Sequence, residues 1–287
     1  MTAGLYGLLA ALSWGGADFI ARFTSRAIGH QQALLGMLSV GAIAMSLIIF
    51  LLDIPFVFII SGWWLLLLTG IGTMVATLLL YWALARGPVT IVAPIVGSFP
   101  IFNVILALIL GSRPDNIQWL AMSAVFIGVW LVACASSHFE SHPDYNRQHL
   151  RQTIIIALAS SLAFGITIAA AQAASPIYGE LQTVCIARWI SLLSIALVFV
   201  WKKQVPIISL RCWPLIGLQG FMDTGAYAAL ALSTRAENAE IAVVTASGFS
   251  IITVLLARYF LKEKMSWTQW CGVLFIAAGV VVLSSFG

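Results

Sequence analysis

Gln219, Asp223 and Tyr227 stand four residues apart inside the apolar run from 212 to 233. That spacing puts all three on one face of a helix. A second stripe, Thr69, Thr73, Thr77 and Tyr81, has the same spacing in the run from 62 to 85, and a shift of 146 lays Gln219 on Thr73, Asp223 on Thr77 and Tyr227 on Tyr81. Polar groups deep in apolar helices are costly and tend to face a cavity or a partner helix. Asp223 lies about eleven residues from either end of its run. Three roles are open to it: binding an ammonium group, carrying a proton, or pairing with a cation such as Arg188. Asp18 and Arg22, four apart, are expected to pair with each other. Thr69 taken alone is expected only to bond back to its own helix carbonyls.

The run from 88 to 110 adds Pro88, Pro94 and Pro100 together with Ser98, Phe99 and Asn103. Proline frees backbone carbonyls and kinks a helix, which a spanning segment tolerates where its backbone lines a cavity. The corresponding later stretch has no proline but carries Thr245, Ser247, Gly248, Phe249, Ser250 and Thr253. Rings at depth include Trp14, Tyr81, Phe99, Phe164, Tyr227 and Phe249, whereas Trp63, Trp64, Trp119, Trp201 and Trp267 fall at run ends, where amphipathic rings sit at a membrane interface. Trp14 and Phe164 are each followed by glycine, which would let backbone approach a solute. The expected cavity is therefore lined by Trp14, Thr73, Thr77, Tyr81, Ser98, Phe99, Asn103, Phe164, Asp223, Tyr227 and Phe249, with Asp223 as the candidate coupling residue.

Other chemistries find little support. The sequence "GFSI" at Gly248 resembles the Gly-x-Ser of intramembrane serine proteases, but the histidines, His30, His138, His142 and His149, all lie at run edges or in the central polar stretch, so no base stands near the serine. Neither HExxH nor GxxxxGK[ST] occurs. His138 and His142 have a helical metal-ligand spacing, but Pro143 argues for a loop there. Cys134, Cys185, Cys212 and Cys271 are scattered and read as small apolar residues. No enzyme activity, metal or cofactor is expected.

The elements that must position these residues are helices in lipid. The chain has 14 Lys or Arg and 10 Asp or Glu in 287 residues, is 61% hydrophobic, and has a mean hydropathy of +1.03. Soluble domains carry about 25% charged residues, so most of this surface must face lipid. Apolar runs at roughly 3–23, 31–52, 62–85, 88–110, 116–135, 152–173, 179–201, 212–233, 239–261 and 266–285 predict ten transmembrane helices. The fold class is all-α and polytopic. The polar stretch from Ser136 to Arg151 divides it into 1–136 and 151–287 around a central loop, 137–150. The basic pI, near 9.0, is not a nucleic-acid signal. Arg22, Arg26, Arg86, Arg147, Arg151, Lys202, Lys203, Arg211, Lys262 and Lys264 sit at odd-numbered connections, and Arg113 and Arg235 at even-numbered ones. That bias puts the odd connections in the cytoplasm and both termini outside.

The two halves echo one another. Gln118-Trp119 and Gly128-Val129 recur at Gln269-Trp270 and Gly279-Val280, 151 residues on. Phe99-Pro100-Ile101 matches Phe249-Ser250-Ile251, and Leu12-Ser-Trp-Gly15 resembles Leu162-Ala-Phe-Gly165, both 150 apart. "YWAL" at Tyr81 matches "YAAL" at Tyr227. Five helices per half is an odd number, so the second half enters the membrane with the opposite polarity: two inverted five-helix repeats, a transporter design with its site between the halves.

At these residues the chain resembles the EamA family of the drug/metabolite transporter superfamily. Members show ten helices in two repeats, each with a short charged loop containing Glu and then a helix opening with x-Gln-x-x-Gly. The second half carries this as "FLKEKMSWTQWCGVLFIAAGVVVL"; the first departs, with Ser112-Arg113 in place of the glutamate and Ala121 in place of the glycine. Length, aromatic content and short tails look most like the aromatic amino-acid exporters of the YddG type. The family is usually drawn with both termini inside, opposite to the Lys/Arg count. The resemblance implies a secondary transporter of the inner membrane that exports small metabolites, foremost aromatic or other apolar amino acids. Export of cationic drugs or other metabolites by proton antiport is the alternative, and a membrane-embedded enzyme a remote one. A single chain is expected to suffice, with a small solute and the lipid bilayer as its partners.

Overall fold

The computed structural model describes residues 3–57, 59–109, 116–134, 147–233, 242 and 245–285. Among these residues there is no strand. The helices are α1 (Ala3–Ile28), α2 (His30–Leu51), α3 (Trp63–Arg86), α4 (Val89–Gly97), α5 (Pro100–Ile109), α6 (Asn116–Cys134), α7 (Arg147–Tyr178), α8 (Glu180–Trp201), α9 (Trp213–Ser233), α10 (Phe249–Phe260) and α11 (Trp267–Ser285), with a 3-10 turn at Leu210–Cys212. Six of them (α1, α2, α3, α6, α7 and α8) are long and apolar enough to cross a membrane, and shorter apolar helices follow at Val89–Phe102, Phe249–Phe260 and Trp267–Val282. Lipid offers the backbone no partner, so an apolar run of this length satisfies its own N–H and C=O groups by coiling.

Two expected bounds shift. Helix α1 runs to Ile28, beyond 23, and α7 spans 32 residues from Arg147 to Tyr178, so 147–150 of the expected central loop is helical. The polar first turn of α7 is held by partners on α3: Arg86 Nη2 donates to Gln152 Oε1 at 2.7 Å, and His149 Nε2 lies 3.0 Å from the Arg86 carbonyl. The remainder of that loop, including His138 and His142, lies outside the described residues.

The run from 88 to 110 is two helices. Ser98 and Phe99 turn out of α4 with three-residue bonds, Ser98 N to Ile95 O at 3.3 Å and Phe99 N to Val96 O at 3.2 Å. Pro100, which has no N–H to donate, then opens α5. A break follows at Gly248, whose N–H reaches Thr245 O at 3.2 Å before α10 begins. The two breaks, 150 residues apart, meet: a Cβ on Gly97 would stand 2.7 Å from that of Ser250.

Turn chemistry repeats at the same interval. Gly29 (φ 89°) joins α1 to α2 and Gly179 (φ 81°) joins α7 to α8, both in the region that glycine enters without Cβ strain. Helices α2 and α8 likewise end in left-handed residues, Asp53 (φ 50°) and Lys203 (φ 52°).

Packing is correspondingly paired. Helix α3 lies along α7 and α1 along α9; α3 and α8 meet as α2 and α9 do; α1 meets α10 as α7 meets α5. Helix α6 lies along α11, α2 along α8 and α4 along α10. The α6–α11 crossing is backbone on backbone: a Cβ on Gly128 would stand 2.6 Å from Gly272 O, and one on Gly272 2.8 Å from Gly128 O. The main core gathers Leu34, Leu38, Leu84, Ile91, Ile95, Ile195 and Ile276, while Ile43, Leu47, Phe50, Leu193, Leu197 and Trp201 face outward. A continuous apolar exterior of this extent suits lipid.

Contacts also sort the connections by face. Glu263, after α10, accepts hydrogen bonds from Val89 N (3.1 Å), Thr90 N (2.9 Å) and Thr90 Oγ1 (2.8 Å), and pairs with Arg22 Nη1 at 3.2 Å. Together with Arg86–Gln152, this gathers odd-numbered connections on one face. On the other, Tyr178 Oη donates to Ile59 O (2.7 Å) and Ser61 O (3.0 Å), and Gln182 bonds both backbone groups of Val57.

Candidate functional site

The two polar stripes meet. Gln219, fully buried on α9, donates through Nε2 to the Tyr81 hydroxyl on α3, and its Oε1 accepts from Thr24 Oγ1 of α1 at 3.0 Å. Each group answers a partner that its own helix does not supply, which is how a buried amide becomes tolerable. One turn further along α9, Asp223 is gripped by Arg188 Nη2 from α8. Another turn on, the Tyr227 ring lies 5.2 Å beneath the same guanidinium. Of the three roles open to Asp223, pairing with Arg188 is the one present here.

From Tyr227 a line of rings crosses the molecule. Trp14 meets Tyr227 edge-on at 5.1 Å and Phe249 at 6.1 Å. Phe249 stacks with Phe99 at 6.4 Å, and Phe99 meets Phe164 at 6.4 Å. Phe99 and Phe249 are brought together by the breaks in the two interrupted helices, where chain leaving a helix projects its ring inward. Edge-on and offset pairs are favoured by the ring quadrupole. The rings touch one another, so a solute entering between them must part them.

Several other candidates are spoken for. Ser98 is buried, donates to Ile95 O at 2.6 Å and lies 3.3 Å from Ser161 Oγ, which itself bonds Val96 O at 3.2 Å. It joins α4 to α7. Thr77 is buried on α3, and Thr73, one turn away, is half-buried. Thr69 bonds back to Leu65 O at 2.7 Å. The side chain of Asn103 lies outside the described residues. Gly15 does not hold backbone open for a solute: a Cβ there would stand 2.9 Å from Phe249 O, and Gly15 O accepts from Thr253 Oγ1 at 3.2 Å, so the glycine serves α1–α10 packing.

The expected Asp18–Arg22 pair does not form. Arg22 reaches Glu263 and the Gly87 carbonyl (2.8 Å), because the carboxyl end of α3 and the charged loop offer it acceptors that its own helix does not. Glu263 thus ties three elements, a role concealed in the sequence by Lys262 and Lys264, which count with the basic residues of the odd connections. The signal was the glutamate of the charged loop, but its partners come from 173 residues away. Open clefts of about 510 Å³ beside Arg258 and Lys264, and about 360 Å³ beside Gln172 and Glu180, lie at opposite helix ends, away from the rings. No group of three or more His, Cys, Asp or Glu suited to a metal occurs among the described residues.

Comparison with known proteins gives one family. The profile described as the EamA-like transporter family matches residues 1–134 and again 151–285. No curated protein matches the chain. Thirteen chains of solved structures are similar; one, described only as "Crystal structure of protein", has a TM-score of 0.64 at 14% identity, over 98% of this chain and 95% of its own. At that identity the likeness concerns the fold alone.

Proposed function

The chain belongs to the EamA-like transporter family, and from that premise we propose that it exports a small aromatic or other apolar amino acid across the inner membrane by alternating access. The carrying observation is the line of five rings, Tyr227–Trp14–Phe249–Phe99–Phe164, ending on the Arg188–Asp223 pair. Rings bind a flat apolar side chain by stacking, and the charged end offers partners to a head group that leaves water. On this reading Thr73, Thr77, Tyr81, Ser98, Asn103 and Asp223 make up the rest of the lining.

Two inverted five-helix repeats, 1–136 and 151–287, are the architecture of this reading. Support comes from the family profile matching twice, from turns recurring 150 residues apart, and from helix pairs such as α3–α7 and α1–α9 that exchange with the halves. Four of the five rings obey the same exchange, since Trp14 corresponds to Phe164 and Phe99 to Phe249, while Tyr227 lies outside it. A site on such an axis can be approached from either face by equivalent motions of the two halves. The Lys/Arg bias places the odd connections, with the Arg22–Glu263 tie, in the cytoplasm.

Counterflow in proteoliposomes tests the reading. Purified protein should exchange radiolabelled phenylalanine or tryptophan, and Phe164→Ala should reduce the exchange about ten-fold at equal incorporation. Exchange of cationic drugs but of no amino acid would replace this cargo with that of a cation antiporter, a reading favoured by the excess of carboxylate at the site, Asp18 and Asp223 against Arg188.

A further inference from the structure

Asp18 is a carboxylate inside α1 that the structure leaves without a counter-ion. It makes no hydrogen bond and no ion pair among the described residues. Both nearby arginines are committed. Arg22, on its own helix, is taken by Glu263 and the Gly87 carbonyl. Arg188 is taken by Asp223, with its Nη1 3.9 Å from Met37 sulfur and its plane over Tyr227.

Position ties Asp18 to the ring line. It stands one helical turn from Trp14, as Asp223 stands one turn from Tyr227. Trp14 and Tyr227 touch, so the two carboxylates lie beyond the same ring pair, near enough for the charge of Asp223 to act on Asp18. At helix depth two carboxylates thus share one guanidinium, and Asp223 holds it. Neither carboxylate is sealed, since both residues are only half-buried. Arg188 Nε and Thr224 Oγ1 are also buried without a partner. A carboxylate without a partner at helix depth is an arrangement that an isolated fold has reason to avoid and a ligand has the means to satisfy.

We propose that Asp18 receives the ammonium group of the cargo, with Trp14 one turn away against its apolar part and Asp223 held by Arg188. An organic ammonium supplies the missing positive charge and up to three N–H donors to a carboxylate that has neither. The assignment rests on the transport reading above but names a residue and a charge that the ring line does not.

Calorimetric titration of the full chain in lipid nanodiscs at pH 7 tests it, with phenylalanine, phenethylamine, 3-phenylpropanoate and hexylamine as probes. Asp18→Asn should weaken phenylalanine and phenethylamine about ten- to hundred-fold, leave 3-phenylpropanoate unchanged, and Asp18→Glu should restore part of the loss. Amine binding that survives Asp18→Asn overturns the proposal, as does a parent protein that binds 3-phenylpropanoate and no amine; in the latter case the aromatic reading stands. Hexylamine bound through Asp18 with every ring compound ignored sinks the aromatic cargo and leaves Asp18 in place. Binding of none of the four overturns both. A measurement on the unmutated protein covers a variant that does not fold: phenethylamine should protect Asp18 from carbodiimide labelling, read by mass spectrometry, and 3-phenylpropanoate should not. Equal labelling with and without phenethylamine refutes the assignment. Retained amine binding with loss of solute-driven proton movement in Asp18→Asn proteoliposomes would make Asp18 a proton carrier instead.

Discussion

Arg188 and Asp223 neutralise each other inside the bundle, and each depends on the other for solvation. Removing one partner of a buried pair strands the other, at a cost of about 3–5 kcal/mol. Asp223→Asn should therefore lower the thermal unfolding midpoint of detergent-solubilised protein as well as its transport; an unchanged midpoint would show that the pair is not closed in the resting protein. Tyr227 contributes differently. Its ring packs against Trp14 and the guanidinium, while its hydroxyl has no partner among the described residues and is available to a solute. Tyr227→Phe should thus preserve stability and weaken transport roughly ten-fold, the worth of one buried hydrogen bond of about 1–3 kcal/mol. Transport equal to the parent's would remove the hydroxyl from the path. Thr69, satisfied by Leu65 O, is the matched control, and Thr69→Val should change neither quantity.

Helix ends and crossings decide what the elements can do. The amino end of α4 presents N–H groups that no earlier turn can satisfy, and Glu263 meets them with a full negative charge. Arg22 balances that charge, so α1, α4 and the loop before α11 move as one body while the tie holds. Glu263→Gln keeps the size but loses the ion pair. It should destabilise the protein by about 1–3 kcal/mol and speed opening of this face, read as faster labelling of a cysteine at Thr90. Equal labelling rates would leave the tie a structural cap only. At the α6–α11 crossing, Gly128→Val places new atoms where the Gly272 carbonyl stands. Relief requires the helices to separate, and overpacking of this kind costs about 1–3 kcal/mol. A thermal midpoint equal to the parent's would contradict so close a crossing.

For the molecule as a whole the quantity to test is which way it faces. The Lys/Arg count predicts cytoplasmic odd connections, and the contacts of Glu263, Arg22, Arg86 and Gln152 gather those connections on one face. In protein freed of its four cysteines, an impermeant thiol reagent on intact cells should label Gly287→Cys and spare Ser141→Cys. Labelling of Ser141→Cys alone would reverse the orientation, and with it the face that the Arg22–Glu263 tie closes.

The sequence by itself determined the helices, the bilayer and the family. Apolar length and the absence of backbone partners in lipid leave few other solutions, and short matches at one interval accumulate along the chain. Asp223 with Arg188, and the ring positions Trp14, Phe99, Phe164, Tyr227 and Phe249, were legible as polar and aromatic exceptions in apolar runs. Their order in space was not, because a contact such as Phe99 on Phe249 depends on where two interrupted helices cross. Charged pairing was least legible. Four-residue spacing pointed Arg22 at Asp18, but a side chain that long chooses among every acceptor within reach. Only the tertiary structure brings Glu263 and the Gly87 carbonyl into that reach, and in taking Arg22 they leave Asp18 as the uncompensated carboxylate beside the rings.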